Sequence, residues 1–132
     1  TEGWGLTHDG ASLIMSDGTD QLVFRDPETF EATRQISVRD GDNPIDRLNE
    51  LEYIDGVIWA NVWQSNFIAR IDPETGNVID WLDLSTLAEQ VLAAGEQVDV
   101  LNGIAWNPET GTAYVTGKLW PTLFEIRVVD EN

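Results

Sequence analysis

"DGASLIMSDGTDQLVFRDPETFEATRQISV" (residues 9–38) and "DGVIWANVWQSNFIARIDPETGNVIDWLDL" (residues 55–84) decide the fold, because the second stretch repeats the first. Gly10 and Gly56 lie 46 positions apart, and so do the pairs Asp26-Pro27 and Asp72-Pro73. Leu22 matches Ile68 at the same offset. A third copy, "TGTAYVTGKLWPTLFEIRVV" (110–129), keeps the step of 12 residues: Gly111 to Leu123 reproduces Gly10 to Leu22 and Gly56 to Ile68. Self-similarity at a fixed period marks a repeat architecture, in which each unit buries its apolar face on the next.

Each unit reads as short strands separated by turn signals. In the second unit the strands fall at 50–54, 57–62, 67–71 and 77–81, with "DG" and "DPETG" as turns. Apolar and polar residues alternate in "LVFR" and "IARI", as half-buried strands require. Four antiparallel strands per unit are the mark of a β-propeller blade. A Greek-key sandwich also uses many short strands, but it does not repeat the same dipeptides at one offset. The expectation is therefore an all-β chain of about three blades, at roughly 1–45, 46–84 and 98–132, within one partial propeller domain spanning 1–132.

Residues 83–97, "DLSTLAEQVLAAGEQ", break the pattern and read as one inserted α-helix. Thr86 and Glu89 have capping-box spacing, Leu87 and Val91 share a face, and Gly95 is a suitable stop. The helix is expected to lay one apolar stripe on the propeller body. The third unit holds three strands' worth of chain. Three blades do not close a ring of the usual 4–8. The reading is thus the C-terminal part of a larger propeller whose N-terminal blades complete it, or a chain that self-associates to cover its open edges.

Composition limits the partners. The 132 residues carry 24 Asp and Glu against six arginines and one lysine, a net charge of −17. Such a surface repels nucleic acid and anionic membranes, so neither is an expected partner. The arginines, at 25, 34, 39, 47, 70 and 127, form no basic stripe. An acidic excess with almost no lysine fits a salt-adapted protein, since salt screens the self-repulsion, and it fits an ordinary acidic protein equally. With 42% hydrophobic residues the chain can build a core. Cysteine is absent, which excludes disulfides and thiolate metal sites.

Innermost propeller strands face the central channel, so their first residues are where a site would form. These stretches are "EGWGLT" (2–7), "LNELEY" (48–53) and "LNGIAW" (101–106). Their distinctive members are Glu2, Trp4, Asn49, Glu50, Glu52 and Asn102. Asn49 and Asn102 have two readings: side-chain bonds that hold the junctions between blades, or contacts to a ligand. Six tryptophans are spread over the chain, and most are expected in the core. Trp4, Trp63 and Trp120 stand beside glycine, polar or proline residues, which suits a channel mouth lined as a small-ligand pocket. Trp59 and Trp63 share a face by strand parity unless the strand ends between them.

Lys118, in "VTGKLWP" (115–121), is the only lysine. Lys118 has two readings: a surface lysine left by chance, or a specific role for a compact charge with rotatable donors, which its retention in a chain that otherwise avoids lysine favours. Glu50 and Glu52 share a strand face and are read as an acid–base pair, a blade-junction pair or a cation site. His8, in "THDG", is expected at an exposed turn. There is no phosphate-binding glycine loop, no HExxH and no Cys/His cluster.

Taken together, "GWGLT", "SDGT", "DPETF", "LNELEY", "IWANVWQ", "RIDPETG", "DVLNGIAW" and "VTGKLWPTLFEI" resemble the plant and bacterial type of glutaminyl-peptide cyclotransferase, in order, from residue 2 to residue 128. The resemblance implies a five-bladed propeller, longer than this chain, that converts an N-terminal glutamine of a peptide or protein to pyroglutamate with release of ammonia. It implies no metal and no organic cofactor. Carried over by motif, Trp4 and Trp63 would wall the substrate pocket, Asn49 would hydrogen-bond the substrate's amide or amino end, and Lys118 would anchor the reacting carbonyl. The same resemblance suggests a secreted or periplasmic location. The family's first two blades, with a glutamine in a "TQGL"-type motif and an acid–base glutamate in an "EGL"-type motif, have no counterpart here, and Glu2 does not take that glutamate's place. The alternative is a noncatalytic propeller piece that binds peptide ends or a partner protein at the same mouth.

Overall fold

The computed structural model describes residues 3–95 and 98–129. Three antiparallel sheets follow one another along the chain. The first contains β1 (Gly5–His8), β2 (Leu13–Ser16), β3 (Gln21–Arg25) and β4 (Ala32–Ser37), in that spatial order. A small hairpin, β5 (Arg39–Asp40) and β6 (Asn43–Pro44), leads to the second sheet. That sheet runs β7 (Leu48–Ile54), β8 (Val57–Val62), β9 (Phe67–Ile71) and β10 (Val78–Asp83). After α1 (Ser85–Ala93) come β11 (Leu101–Asn107), β12 (Thr112–Gly117) and β13 (Phe124–Ile126).

Local sequence explains the sheet connections. Asp55 and Gly56 both have positive φ, 49° and 82°, and form the two-residue turn that pairs Ile54 with Val57. That conformation matches the strand twist and favours an Asp-Gly pair. In the DPETF turn, Asp26 Oδ1 accepts the amides of Glu28 (2.8 Å) and Thr29 (3.1 Å). The DPETG turn repeats the device, with Asp72 Oδ1 accepting from Glu74 at 2.8 Å. The repeated dipeptides are thus side-chain-closed turns.

The sheets are blades around a common axis, because their first strands adjoin one another. Ser16 Oγ donates to the Asn49 carbonyl at 2.6 Å, and the Tyr53 amide donates to Thr7 Oγ1 at 3.1 Å, joining the first blade to the second. Between β1 and β7 the backbones come so close that a Cβ on Gly5 would lie 2.0 Å from the Asn49 carbonyl oxygen. The Glu50 amide donates to Asn102 Oδ1 at 3.2 Å, joining the second blade to the third.

Side-chain alternation then gives two cores. Ile14, Leu22, Phe24 and Ile36 of the first blade meet Leu51, Ile58, Ala60 and Ile71 of the second. From the opposite face of that second blade, Trp59 and Ile68 meet Leu101, Ile104 and Val115 of the third. The middle blade is buried on both faces, which is why "VIWANV" is almost continuously apolar. Truncating a core side chain such as Phe24, 2% exposed, would cost about 3–5 kcal/mol. Leu6 on β1 is 54% exposed, on a blade face with no neighbour among the described residues.

The helix is shorter than the expected 83–97, and residues 96 and 97 lie outside the described chain, as does Glu2. Its start differs as well. Thr86 and Glu89 form no capping box; instead Asp83 Oδ1 accepts from the Ser85 amide (2.9 Å) and hydroxyl (2.5 Å), and the helix begins one residue before Thr86. An aspartate at a strand end competes well for the first free amides of a helix. Ala88 and Val91 are buried, Leu87 packs on the second core, and Gly95 (φ 81°) follows the last turn as anticipated. The β5–β6 hairpin was not anticipated. It is held by a Trp81 indole bond to Asp40 at 2.9 Å, a partner 41 positions away that local pattern does not reveal.

Candidate functional site

The antiparallel order places the starts of β1, β7 and β11, and the ends of β2, β8 and β12, at one end of the fold. Trp4 immediately precedes β1, Asn49 is the second residue of β7, Trp63 follows β8, and Lys118 follows β12. These four side chains, with Gly3, line one concavity of about 310 Å³. All three blades contribute to it.

Each lining residue is fixed by its backbone surroundings. The Trp4 amide donates to the Ser16 carbonyl at 2.9 Å, and its ring lies against Gly18, where a Cβ would approach within 2.6 Å. Gly18 has a φ of 86°, so the bare backbone serves both the turn and the ring. The Trp63 amide donates to the Arg47 carbonyl at 2.8 Å. Trp4 and Trp63 then meet edge to face, with centroids 5.5 Å apart and planes at 80°. Lys118 is held by two backbone bonds of 2.9 Å, to the Val100 carbonyl and from the Asp99 amide. Its side chain is exposed and makes no ion pair with a described residue.

Backbone strain gathers around the concavity. Among the described residues other than glycine, Arg47, Gln64 and Leu119 have positive φ, at 59°, 65° and 62°. They stand two residues before Asn49, next to Trp63 and next to Lys118. The other two, Phe30 and Asp55, serve turns elsewhere. Such conformations cost of order 1–3 kcal/mol each and persist where the surrounding structure imposes them.

Both "LN" pairs sit in β-bulges. Register shifts occur between Leu48 and Leu51 and between Leu101 and Ile104. A bulge re-aims the side chain it carries. The two asparagines nevertheless part ways. Asn102 accepts the Glu50 amide and is structural. Asn49, 6% exposed as a residue, lines the concavity, and its amide group bonds to no described residue. The second blade's Asn61 does what Asn102 does, accepting the Gly103 amide at 3.0 Å.

Neither Glu50 nor Glu52 lines the concavity. Partial burial pushes the Glu50 carboxyl above its ordinary value, the Leu51 amide works against that, and the charge of Glu52 adds to the push. Glu52 receives the Thr7 hydroxyl at 3.4 Å. Among the described residues no group of three or more His, Asp or Glu side chains is arranged to hold a metal.

The remaining candidates are dispersed. β8 ends at Val62, so Trp59 and Trp63 separate: Trp59 packs with Trp106 in the second core, 6.5 Å between centroids. Trp120 is near the mouth but turns from Trp4 and Trp63. It lies over Gly117, where a Cβ would approach within 2.3 Å, and its indole donates to the Asp99 carbonyl at 2.8 Å. His8 ends β1 and is exposed.

Residues 1–128 match the model of the glutamine cyclotransferase family. The chain belongs to that family. It is 48% identical over 128 residues to the glutaminyl-peptide cyclotransferase of Arabidopsis thaliana, covering 96% of this chain and 40% of that protein. The crystal structure of Myxococcus xanthus glutaminyl cyclase superposes with a TM-score of 0.91 at 44% identity, covering 98% of this chain and 57% of that one. A hydrazine synthase from Kuenenia stuttgartiensis has a similar fold, with a TM-score of 0.63 at 18% identity. The chain thus spans about half the length of its cyclotransferase relatives or less.

Within this cyclotransferase-family chain the concavity offers two aromatic walls, one neutral amide and one ammonium. That set suits a small polar group bearing a carbonyl, held against flat apolar faces. No carboxylate lines it among the described residues.

Proposed function

We propose that the protein carrying this chain cyclises the N-terminal glutamine of peptides to pyroglutamate, releasing ammonia, and that the concavity of Trp4, Asn49, Trp63 and Lys118 forms part of its substrate pocket. The observation that carries the proposal is the convergence of those four residues, drawn from three blades, on one rim in a member of the glutamine cyclotransferase family.

The chemistry matches what the four side chains offer. The substrate's α-amine attacks its own γ-carboxamide carbon. A carbon–nitrogen bond forms, the carbonyl oxygen gains charge, the former amine loses a proton, and the departing nitrogen gains one and leaves as ammonia. The reacting groups belong to one residue, so the pocket needs to hold a folded conformer instead of collecting two molecules. Trp4 and Trp63 supply flat walls and displace water. The Lys118 ammonium stabilises the developing oxyanion, and Asn49 directs the carboxamide or the amine by hydrogen bonds. Both count for more where water is thinned out. The proton shuttle is a carboxyl group brought to this rim by the blade that carries the "EGL"-type motif in the family.

The test is ammonia release from a glutamine-initiated peptide by the complete polypeptide, with a product lighter by one ammonia. Absence of both under conditions where the protein is folded would refute the proposal. A second reading has one specific support: without a carboxylate in the lining, the described chain by itself would bind peptide amino-termini without turning them over. Saturable binding with no ammonia released by residues 1–132 alone would fit that reading.

A further inference from the structure

A second concavity, of about 270 Å³, lies on the same rim, between the 63–66 loop and α1. Its apolar lining includes Ala88 and Leu92 of α1, Val100, Leu101 and Trp120. Leu92 is 62% exposed, an apolar side chain left at the surface while Val91 beside it is buried.

The linings of the two concavities adjoin one another. Trp63 lines the first and Gln64 the second. Lys118 lines the first, and the Asp99–Val100 segment to which its backbone is bonded lines the second. Two backbones paired in this way lie about 5 Å apart. Neighbouring Cα atoms of a bound peptide are separated by roughly 3.8 Å. A peptide whose first residue occupied the first concavity would thus have its second residue within reach of the second.

Several polar groups of this lining are already engaged. Asp99 Oδ1 accepts the Val100 amide at 2.8 Å, and the Asp99 carbonyl accepts the Trp120 indole at 2.8 Å. Ser65 Oγ donates to the Val62 carbonyl at 2.8 Å, and the Asn66 carbonyl accepts the Leu84 amide at 2.8 Å. The lining also carries the polar side chains of Gln64, Asn66 and Asp99, and its apolar part is formed by Ala88, Leu92, Val98, Val100, Leu101 and Trp120. A cavity of about 150 Å³ lined by aliphatic and aromatic side chains already holds a benzene ring.

Resting on the cyclotransferase reading, we infer that this second concavity receives the side chain of the residue following the N-terminal glutamine, and that it selects large apolar side chains there. α1, inserted between the second and third blades, is then the element that gives the mouth this preference.

The experiment compares kcat/KM of the complete polypeptide for Gln-Phe and Gln-Gly peptides of equal length, in the parent and in Leu92→Glu. Leu92 is exposed, so the substitution spares the core. A parent preference for Gln-Phe on the order of tenfold is expected, and the ratio should fall at least about threefold in Leu92→Glu. Equal rates in the parent, or a ratio that Leu92→Glu leaves in place, would overturn the inference while the cyclotransferase activity stands. Failure to cyclise either peptide would remove the activity, and the inference with it.

Discussion

Trp4 and Trp63 come from different blades, 59 positions apart, and meet edge to face with 5.5 Å between ring centroids. Neither belongs to a strand, and each is set by a backbone bond, Trp4 to Ser16 at the end of β2 and Trp63 to Arg47 just before β7. Edge-to-face indoles attract one another through the ring quadrupole. The pair therefore joins two blades and forms a wall at once. A double-mutant cycle with Trp4→Ala and Trp63→Ala, read by chemical denaturation, should give a coupling of about 0.5–1.5 kcal/mol. Strict additivity would mean that the rings do not touch in solution.

Gly18 supports that wall from beneath. Alanine there meets two obstacles, a φ of 86° and a Cβ 2.6 Å from the Trp4 ring. Gly18→Ala should cost about 1–3 kcal/mol and shift the indole fluorescence of the folded protein. A variant as stable as the parent, with unchanged emission, would show that Trp4 is seated elsewhere.

Asn49 and Asn102 share a dipeptide and a bulge but are predicted to fail differently. Asn102→Ala leaves the half-buried Glu50 amide without its acceptor and should lower stability by about 1–2 kcal/mol. Asn49→Ala removes no hydrogen bond to a described residue, so it should lower peptide turnover much more than stability. Thermal melts beside peptide kinetics separate the two outcomes.

Glu50 makes stability depend on pH in a defined direction. Burial raises its folded pKa above the unfolded value, so between those values the native chain keeps a proton that the unfolded chain has lost. The resulting contribution is complete below the unfolded value and disappears as pH rises through the folded one. Glu50→Gln keeps the shape and the acceptor for the Leu51 amide but has no charge to bury. It should raise Tm by about 1–3 °C at neutral pH, with the gain shrinking toward acidic pH. Paired pH–Tm curves check this, and a gain that grows in acid would reverse the assignment.

The blades were legible because the repeat is written in turn chemistry. Asp26 and Asp72 close equivalent turns, and the strands between turns alternate as pleating demands. Strand ends were legible to within a few residues: 50–54 became Leu48–Ile54, and 77–81 became Val78–Asp83. What escaped depends on partners distant in sequence. Nothing local distinguishes Asn49 from Asn102, because what separates them is whether an amide of a neighbouring blade arrives. The separation of Trp59 from Trp63 follows from the strand ending at Val62, and the positive φ of Arg47, Gln64 and Leu119 falls on residues that do not ordinarily announce it. The second concavity, built from α1, three loop segments and the start of β11, has no motif at all.

The sole lysine gives the most direct test of the account. The central claim is that Trp4, Asn49, Trp63 and Lys118 form one pocket in which an ammonium stabilises the reacting carbonyl. The measurement is kcat/KM for a glutamine-initiated peptide in the complete polypeptide and in Lys118→Ala, with folding confirmed by a shared melting curve. Removing a donor of this kind should lower kcat/KM on the order of 100-fold or more. Turnover within about twofold of the parent, roughly 0.4 kcal/mol in the barrier, would contradict it.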